Sequence, residues 1–158
     1  AWSDQVVTSH NKYRTQYGAS PVTWNSALYS STLSYGQSCK FSHRHEQLSF
    51  CRYGENLYAG TGDVGINDAL QAWMGEACKW SFLRDNNPGF SSSTGHFTQV
   101  VWKSTTEVSC AIADCPAGTI FPGDASKFII CRYTPPGNVQ GQFPSVTSIT
   151  YPLVNSTY

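Results

Sequence analysis

The chain has 158 residues, with ten Lys and Arg against ten Asp and Glu, and 14% of its residues are aromatic. This length predicts one domain with a substantial core, and the aromatic content is unlike that of a disordered chain. The zero formal charge argues against a nucleic-acid binder and against a basic membrane-surface helix, and no apolar run approaches the roughly 18 residues of a transmembrane segment.

Helical patterns occupy the first half of the chain. Ser3 is the expected N-cap of a first helix over residues 3–17, and Asn25 is the expected N-cap of a second over residues 25–37. A third helix is predicted over residues 67–80. Apolar residues at helical spacing form its expected buried stripe, which consists of Ile66, Leu70, Trp73, Ala77 and Trp80.

Strand patterns occupy the second half. Residues 107–113 and 127–133 are predicted strands, and residues 56–59 are a predicted edge strand. Helices first and strands later, without regular alternation, indicate an α+β fold with helices packed on an antiparallel sheet. We expect one domain over residues 1–143 and an extended polar tail over residues 144–158.

Cysteine usage points to an extracellular protein. The even number and the absence of a Cys-x-x-Cys pair favour three disulfides over a zinc ribbon or a thioredoxin-like site. The six residues are Cys39, Cys51, Cys78, Cys110, Cys115 and Cys131. The chain begins at Ala1 without a charged-then-apolar leader, so we expect that a secretion leader was removed or lies outside it. Asn155 stands in a glycosylation sequon, a pattern that often arises by chance.

Few residues could carry chemistry, because the chain has only four histidines and four glutamates. They are His10, His43, His45, His96, Glu46, Glu55, Glu76 and Glu107. Each has an ordinary structural interpretation when taken alone, although the spacing of His43 and His45 also suits two metal ligands on one strand face. Neither a zinc-protease helix motif nor a serine-hydrolase elbow nor a phosphate loop is present, and a thiol nucleophile is not expected if all six cysteines are paired.

Four stretches of the sequence together resemble a known superfamily. They are His10-Asn11-Lys12-Tyr13-Arg14, Cys39 to His43 with Gly54-Glu55-Asn56-Leu57, Asn87-Pro88-Gly89-Phe90 with Gly95-His96-Phe97-Thr98-Gln99-Val100-Val101-Trp102, and Phe128 to Tyr133 with Pro135-Pro136-Gly137-Asn138. The chain is similar to the CAP superfamily of cysteine-rich secretory proteins, venom allergens and pathogenesis-related class-one proteins. The third stretch resembles the fungal, yeast-type branch, which binds sterols.

The resemblance implies a fold and a site. The fold is a three-layer α-β-α sandwich around a central antiparallel sheet, stabilised by disulfides. The family's cleft residues map onto His43, Glu55, Glu76 and His96, with His43 preferred to His45 because it follows Cys39 by four residues. Two neutral imidazoles, each fixed by a carboxylate, could bind a divalent metal such as zinc, although no cofactor is required.

The resemblance also implies disulfide pairs, namely Cys39 with Cys110 and Cys115 with Cys131. Cys51 is then left with Cys78, and both lie close in sequence to cleft glutamates. The chain departs from the family over residues 44–52, which are longer and bulkier than the usual Ser-Gly stretch and carry the additional Cys51.

Three functions are compatible with these residues. The first is a secreted, non-catalytic binding protein for a sterol or fatty-acid-like molecule, with aromatic side chains as its ligand-binding set. This set is Phe41, Phe50, Tyr53 and Tyr58. The second is a metal-dependent hydrolase that uses His43, His96 and one Glu. The third is an extracellular host-interaction or defence-related protein whose surface contacts a host membrane or protein.

Overall fold

The fold was analysed in a computed structural model, which describes residues 1–43, 53–84 and 89–143. The expected tail over residues 144–158, together with His45, Phe50 and Cys51, lies outside the described residues. In chain order the elements are α1 (Trp2–Gln16), β1 (Thr23–Trp24), α2 (Ser26–Gln37), β2 (Gly54–Thr61), α3 (Ile66–Met74), α4 (Ala77–Arg84), α5 (Gly95–Val100), β3 (Glu107–Cys115) and β4 (Ser126–Thr134).

A four-stranded sheet with the order β1-β3-β4-β2 forms the middle of the molecule. The three long strands pair antiparallel, with Glu55 opposite Arg132 and Cys110 opposite Cys131. The predicted antiparallel α+β sheet is therefore confirmed. The two-residue strand β1 pairs parallel to β3 and was not predicted, because two residues are too few to show an alternating pattern.

The two faces of the sheet bury different side chains, as the period of two along a strand requires. Ile129, Cys131 and Tyr133 of β4 belong to a core shared with α1, α3, α4 and α5, on what we term the helix-rich face. Phe128 and Ile130 point the other way, toward α2, on what we term the α2 face. These layers on both sides of the sheet confirm the three-layer sandwich.

The helix boundaries follow local chemistry, with two differences from the predictions. The Asn25 side chain accepts a hydrogen bond from the Leu28 amide at 3.1 Å, so the predicted cap of α2 is confirmed. The first helix begins at Trp2 instead of after Ser3. The predicted third helix is divided into α3 and α4, and Gly75, a poor helix former, is the C-cap of α3.

Two disulfides join described cysteines, and their pairing corrects the predicted one. Cys39 bonds Cys115, and Cys110 bonds Cys131. Cys110 and Cys115 are five residues apart, so they face opposite sides of the sheet, and each takes a partner on its own side. The predicted pairs Cys39 with Cys110 and Cys115 with Cys131 are therefore wrong. Cys78 is exposed and makes no disulfide with a described residue, so its pairing with Cys51 stays a prediction.

Candidate functional site

The four predicted cleft residues come from four parts of the chain and form two His–Glu pairs. His43 follows α2, Glu55 lies in β2, Glu76 lies between α3 and α4, and His96 lies in the first turn of α5. His43 Nδ1 is 3.2 Å from Glu55 Oε1. His96 Nδ1 is 2.8 Å from Glu76 Oε1.

Both pairs border one cavity of about 270 Å³, which we term the tetrad cavity. His43, Glu55 and His96 line it directly, while Glu76 contacts the cavity-lining His96. Asn56 and Asn138 add polar groups, and Phe90 adds an aromatic ring that is 52% exposed. The fold thus brings together two imidazoles from segments more than fifty residues apart.

Contacts from α3, α5 and β2 fix the His96–Glu76 pair. Glu76 uses its second oxygen, Oε2, to accept the Phe97 amide at 3.0 Å. The Trp73 indole lies nearly parallel to the His96 ring, with centroids 6.3 Å apart. Asn56 Nδ2 donates to the His96 carbonyl at 3.0 Å. Both the ring and the backbone of His96 are therefore held.

The His43–Glu55 pair is fixed by a buried arginine. Arg132 Nε donates to Glu55 Oε2 at 3.2 Å, and the two side chains are 1% and 8% exposed, respectively. The Arg132 guanidinium lies 4.3 Å from the centre of the Tyr53 ring, in cation–π geometry. His43 itself is 51% exposed, so this pair is more open to solvent than the other.

The hydrogen bonds of the tetrad define what it can bind. An ionised carboxylate only accepts hydrogen bonds, so a neutral histidine beside it must carry its proton on Nδ1. The Nε2 atoms of His43 and His96 then keep their lone pairs. Two such nitrogens are donors of the kind that a divalent metal such as zinc takes, but within the described residues the tetrad does not bring three potential ligand atoms to within 4.8 Å of one another.

The described residues with three closely spaced potential metal ligands lie in the core instead. His10, Cys110 and Cys131 bring their ligand atoms within 4.8 Å of one another. The two sulfurs are joined in a disulfide, however, so this group offers no thiolate unless that bond is reduced.

His10 instead has a structural role. Its Nδ1 donates to the Val6 carbonyl at 2.8 Å, and the Tyr133 hydroxyl donates to its Nε2 at 3.0 Å. Burial lowers the pKa of His10 to about 4 and raises that of the Tyr133 hydroxyl above its usual range. Asn56 lies within 3.4 Å of the same hydroxyl, which links this buried group to His96.

Arg14 and Arg132 are important residues that the sequence analysis missed. The Arg14 guanidinium is buried and donates to the carbonyls of Val100, Trp102 and Thr105 at 2.8 to 2.9 Å, so it fixes the chain that follows α5. Burial lowers the pKa of Arg14 to about 10. Its position four residues after His10 on the same helix face was the available signal. The role of Arg132 has no such signal, because it depends on the register between β2 and β4.

The predicted aromatic ligand set is placed in several environments. Phe41 is 51% exposed and borders a cavity of about 600 Å³ on the α2 face, which we term the Phe41 cavity. Tyr53 lies against Arg132, and Tyr58 packs against the core of the helix-rich face. Among the described members of the set, only Phe41 therefore lines this cavity.

Comparison with known proteins identifies the family of this chain. Residues 7–133 match the family described as CAP, the cysteine-rich secretory protein family. The chain belongs to the CAP family. Within the described residues, no helix is both long and apolar enough to cross a bilayer.

Two fungal members of the family are similar over most of this chain. The chain is 38% identical over 145 residues to "Secreted protein RBT4" of Candida albicans, which covers 90% of this chain and 37% of that protein. It is 37% identical over 145 residues to "Protein PRY2" of Saccharomyces cerevisiae, which covers 90% of this chain and 40% of that protein. The chain thus spans about two fifths of the length of these relatives. The predicted secretion is confirmed by the family and by the name of the Candida relative.

Solved structures show the same fold. Na-ASP-1 superposes with a TM-score of 0.67 at 22% identity, over 88% of this chain and 40% of that one. NaASP2, solved with Zn²⁺, superposes with a TM-score of 0.60 at 18% identity, over 89% of this chain and 82% of that one. At these identities the likeness concerns the fold alone.

Proposed function

We propose that the protein is a secreted, non-catalytic binding protein for sterols or similar small hydrophobic molecules, and that the ligand occupies the Phe41 cavity. The observation that carries this proposal is a half-exposed Phe41 ring at the edge of a cavity of about 600 Å³. Small-molecule sites in proteins typically measure about 300–1,000 Å³ and combine apolar walls with a few polar groups.

The walls of the Phe41 cavity suit an amphipathic ligand with a large apolar body. Ala59, Ile120 and Phe121 supply apolar surface beside Phe41. Lys40 and Thr119 also line the cavity and could contact a sterol hydroxyl or a fatty-acid carboxylate. Burial of apolar ligand area, worth about 25 cal/mol per Å², would supply most of the binding free energy.

The rigidity of the surrounding chain favours a preformed site. The Cys39–Cys115 disulfide joins the segment before Phe41 to the end of β3. The Phe41 ring packs edge-on against Phe128 of β4 at 5.5 Å. A ring held in this way loses little conformational entropy when a ligand binds against it.

The tetrad cavity supports a second part of the proposal, a site for a divalent metal such as zinc. His43 and His96 would be the ligands, and Glu55 and Glu76 would orient their rings through Nδ1. NaASP2 has been solved with Zn²⁺ on this fold. A bound cation would supply Lewis acidity, whereas the residues of this chain hold both imidazoles in the tautomer that exposes an Nε2 lone pair.

A competition assay with radiolabelled cholesterol tests the ligand proposal. We expect Phe41→Ala to weaken sterol uptake by at least about tenfold, since removal of a contacting ring costs more than about 1.4 kcal/mol. Val139→Ala is the control, because Val139 is also exposed but does not line the Phe41 cavity. Unchanged uptake in Phe41→Ala, or no uptake of sterol or fatty acid by the wild type, would refute the proposal.

A further inference from the structure

We infer that Arg132 and Tyr35 are positioning residues of the tetrad, which hold the His43–Glu55 pair from the α2 face of the sheet. The inference rests on the proposed function only in calling the tetrad a metal site. The positioning itself concerns the orientation and tautomer of His43 and can be measured without metal.

Each oxygen of the Glu55 carboxylate has a partner among the described residues. Oε1 faces His43 Nδ1 at 3.2 Å, and Oε2 accepts from Arg132 Nε at 3.2 Å. Glu55 and Arg132 stand directly opposite each other in the β2–β4 register, and both are almost fully buried. A carboxylate at such a place needs an opposite charge with good geometry, and Arg132 supplies it.

The arginine is itself held by α2. Arg132 Nη1 donates to the Ser31 hydroxyl at 3.2 Å. The guanidinium also lies 5.6 Å from the centre of the Tyr35 ring, in addition to its closer contact with Tyr53. The guanidinium is thus held by contacts with α2 and with Tyr53, which precedes β2, although its buried Nη2 has no hydrogen-bond partner among the described residues.

The same Tyr35 also fixes the chain that leads to His43. Its hydroxyl lies 3.3 Å from the Lys40 carbonyl oxygen and is hydrogen-bonded to the Ser42 carbonyl. One α2 residue therefore contacts both the cation that holds Glu55 and the backbone that carries His43. The His96–Glu76 pair, by contrast, is fixed by the Phe97 amide and the Trp73 ring.

This arrangement has a consequence for the imidazole. While Glu55 Oε1 is directed at His43, the ring keeps its proton on Nδ1 and its lone pair on Nε2. Loss of Arg132 would remove the contact that holds Oε2, so Oε1 would be directed less firmly at His43 and the preference of the ring for the Nδ1 tautomer would weaken. His96 would keep its tautomer preference, because Glu76 is held by the Phe97 amide and not by Arg132.

Nitrogen-15 NMR of the histidine rings in metal-free protein tests the inference, at a pH about two units above the ordinary histidine pKa. We expect His43, His96 and His10 of the wild type to carry the proton on Nδ1. In Arg132→Met, His43 should lose this single tautomer, while His96 and His10 keep theirs. Arg132→Lys, which retains the charge, should restore much of the His43 signal.

Lys127→Met is the matched control, since it removes a cation from the same strand, where Lys127 pairs with the exposed Asp114. It should change none of the three rings. His10 reports on folding through its bond to Val6. If Arg132→Met does not fold, Tyr35→Phe decides: a change confined to His43 supports the inference, and no change overturns it.

A His43 ring that keeps its Nδ1 proton in folded Arg132→Met, or lacks it in the wild type, also overturns the inference. Zinc titration of the same variants separates the two proposals. We expect zinc affinity to fall at least about fivefold in Arg132→Met and to stay unchanged in Lys127→Met. A wild type that binds no zinc would refute the metal site. The NMR result in metal-free protein would still test whether Arg132 positions His43.

Discussion

The two His–Glu pairs of the tetrad are alike in chemistry but differ in how the chain holds them. His96 and Glu76 are twenty residues apart, and their partners Phe97 and Trp73 each lie within three residues of one member of the pair. Glu55 depends on Arg132, which lies 77 residues further along the chain. One pair is therefore held mainly by residues 73–97, with one added contact from Asn56 of β2, whereas the other requires the pairing of β2 with β4 and the packing of α2.

The largest expected effect concerns the Cys39–Cys115 disulfide, which lies close in sequence to His43 of the His43–Glu55 pair. Removal of Cys39–Cys115 by a double substitution to Ala should lower the free energy of unfolding by about 4 kcal/mol, because this bond closes a loop with a sequence separation of 76. Removal of Cys110–Cys131, with a separation of 21, should cost about 3 kcal/mol. Denaturant titration without reductant measures both losses, and the reverse order would contradict the loop-length explanation of their difference.

Acidification should destabilise the core on the helix-rich face. This core includes His10, which is linked to His96 through Tyr133 and Asn56. The pKa of buried His10 is lowered to about 4, so the unfolded chain takes up its proton at a higher pH than the folded one. The contribution of His10 is complete above about pH 6.5 and is lost as the pH falls toward 4, by up to about 3 kcal/mol.

Denaturant titrations at pH 7 and pH ~4.5 compare the wild type with His10→Gln, in which an amide replaces the titrating ring. The variant should be less stable at neutral pH but should lose less stability on acidification. Equal acid sensitivity of the two proteins would show that His10 is not the group responsible.

A smaller effect is expected at the rim of the tetrad cavity. The Thr98 hydroxyl donates to Asn138 Oδ1 at 2.5 Å, and Asn138 lines the cavity. Thr98→Val keeps the side-chain shape but removes this bond, so it should cost about 1 kcal/mol. Chemical denaturation gives the value, and a loss above about 3 kcal/mol would mean that Thr98 supports more of the core than this one bond.

The sequence was sufficient for features that depend on local pattern. The α2 cap at Asn25 and the long strands could be identified from local patterns, whereas the four tetrad residues were assigned through the resemblance to the CAP superfamily. The division of the third helix at Gly75 was missed because the apolar stripe continues through the break, with Trp80 buried in the same core as Trp73.

Features that depend on register could not be predicted in this way. The disulfide pairing follows from the faces on which Cys110 and Cys115 lie, and the role of Arg132 follows from its place opposite Glu55. The environments of Phe41 and Tyr58 differ for the same reason, since neighbouring elements decide which face of the sheet an aromatic side chain covers.

Equilibrium dialysis with zinc tests most directly whether the two pairs form one site. We predict that the wild type binds one zinc ion per chain and that His43→Ala and His96→Ala each abolish this binding, because both imidazoles border a single cavity. Retention of a full equivalent of zinc by either variant, or no binding by the wild type, would contradict the account.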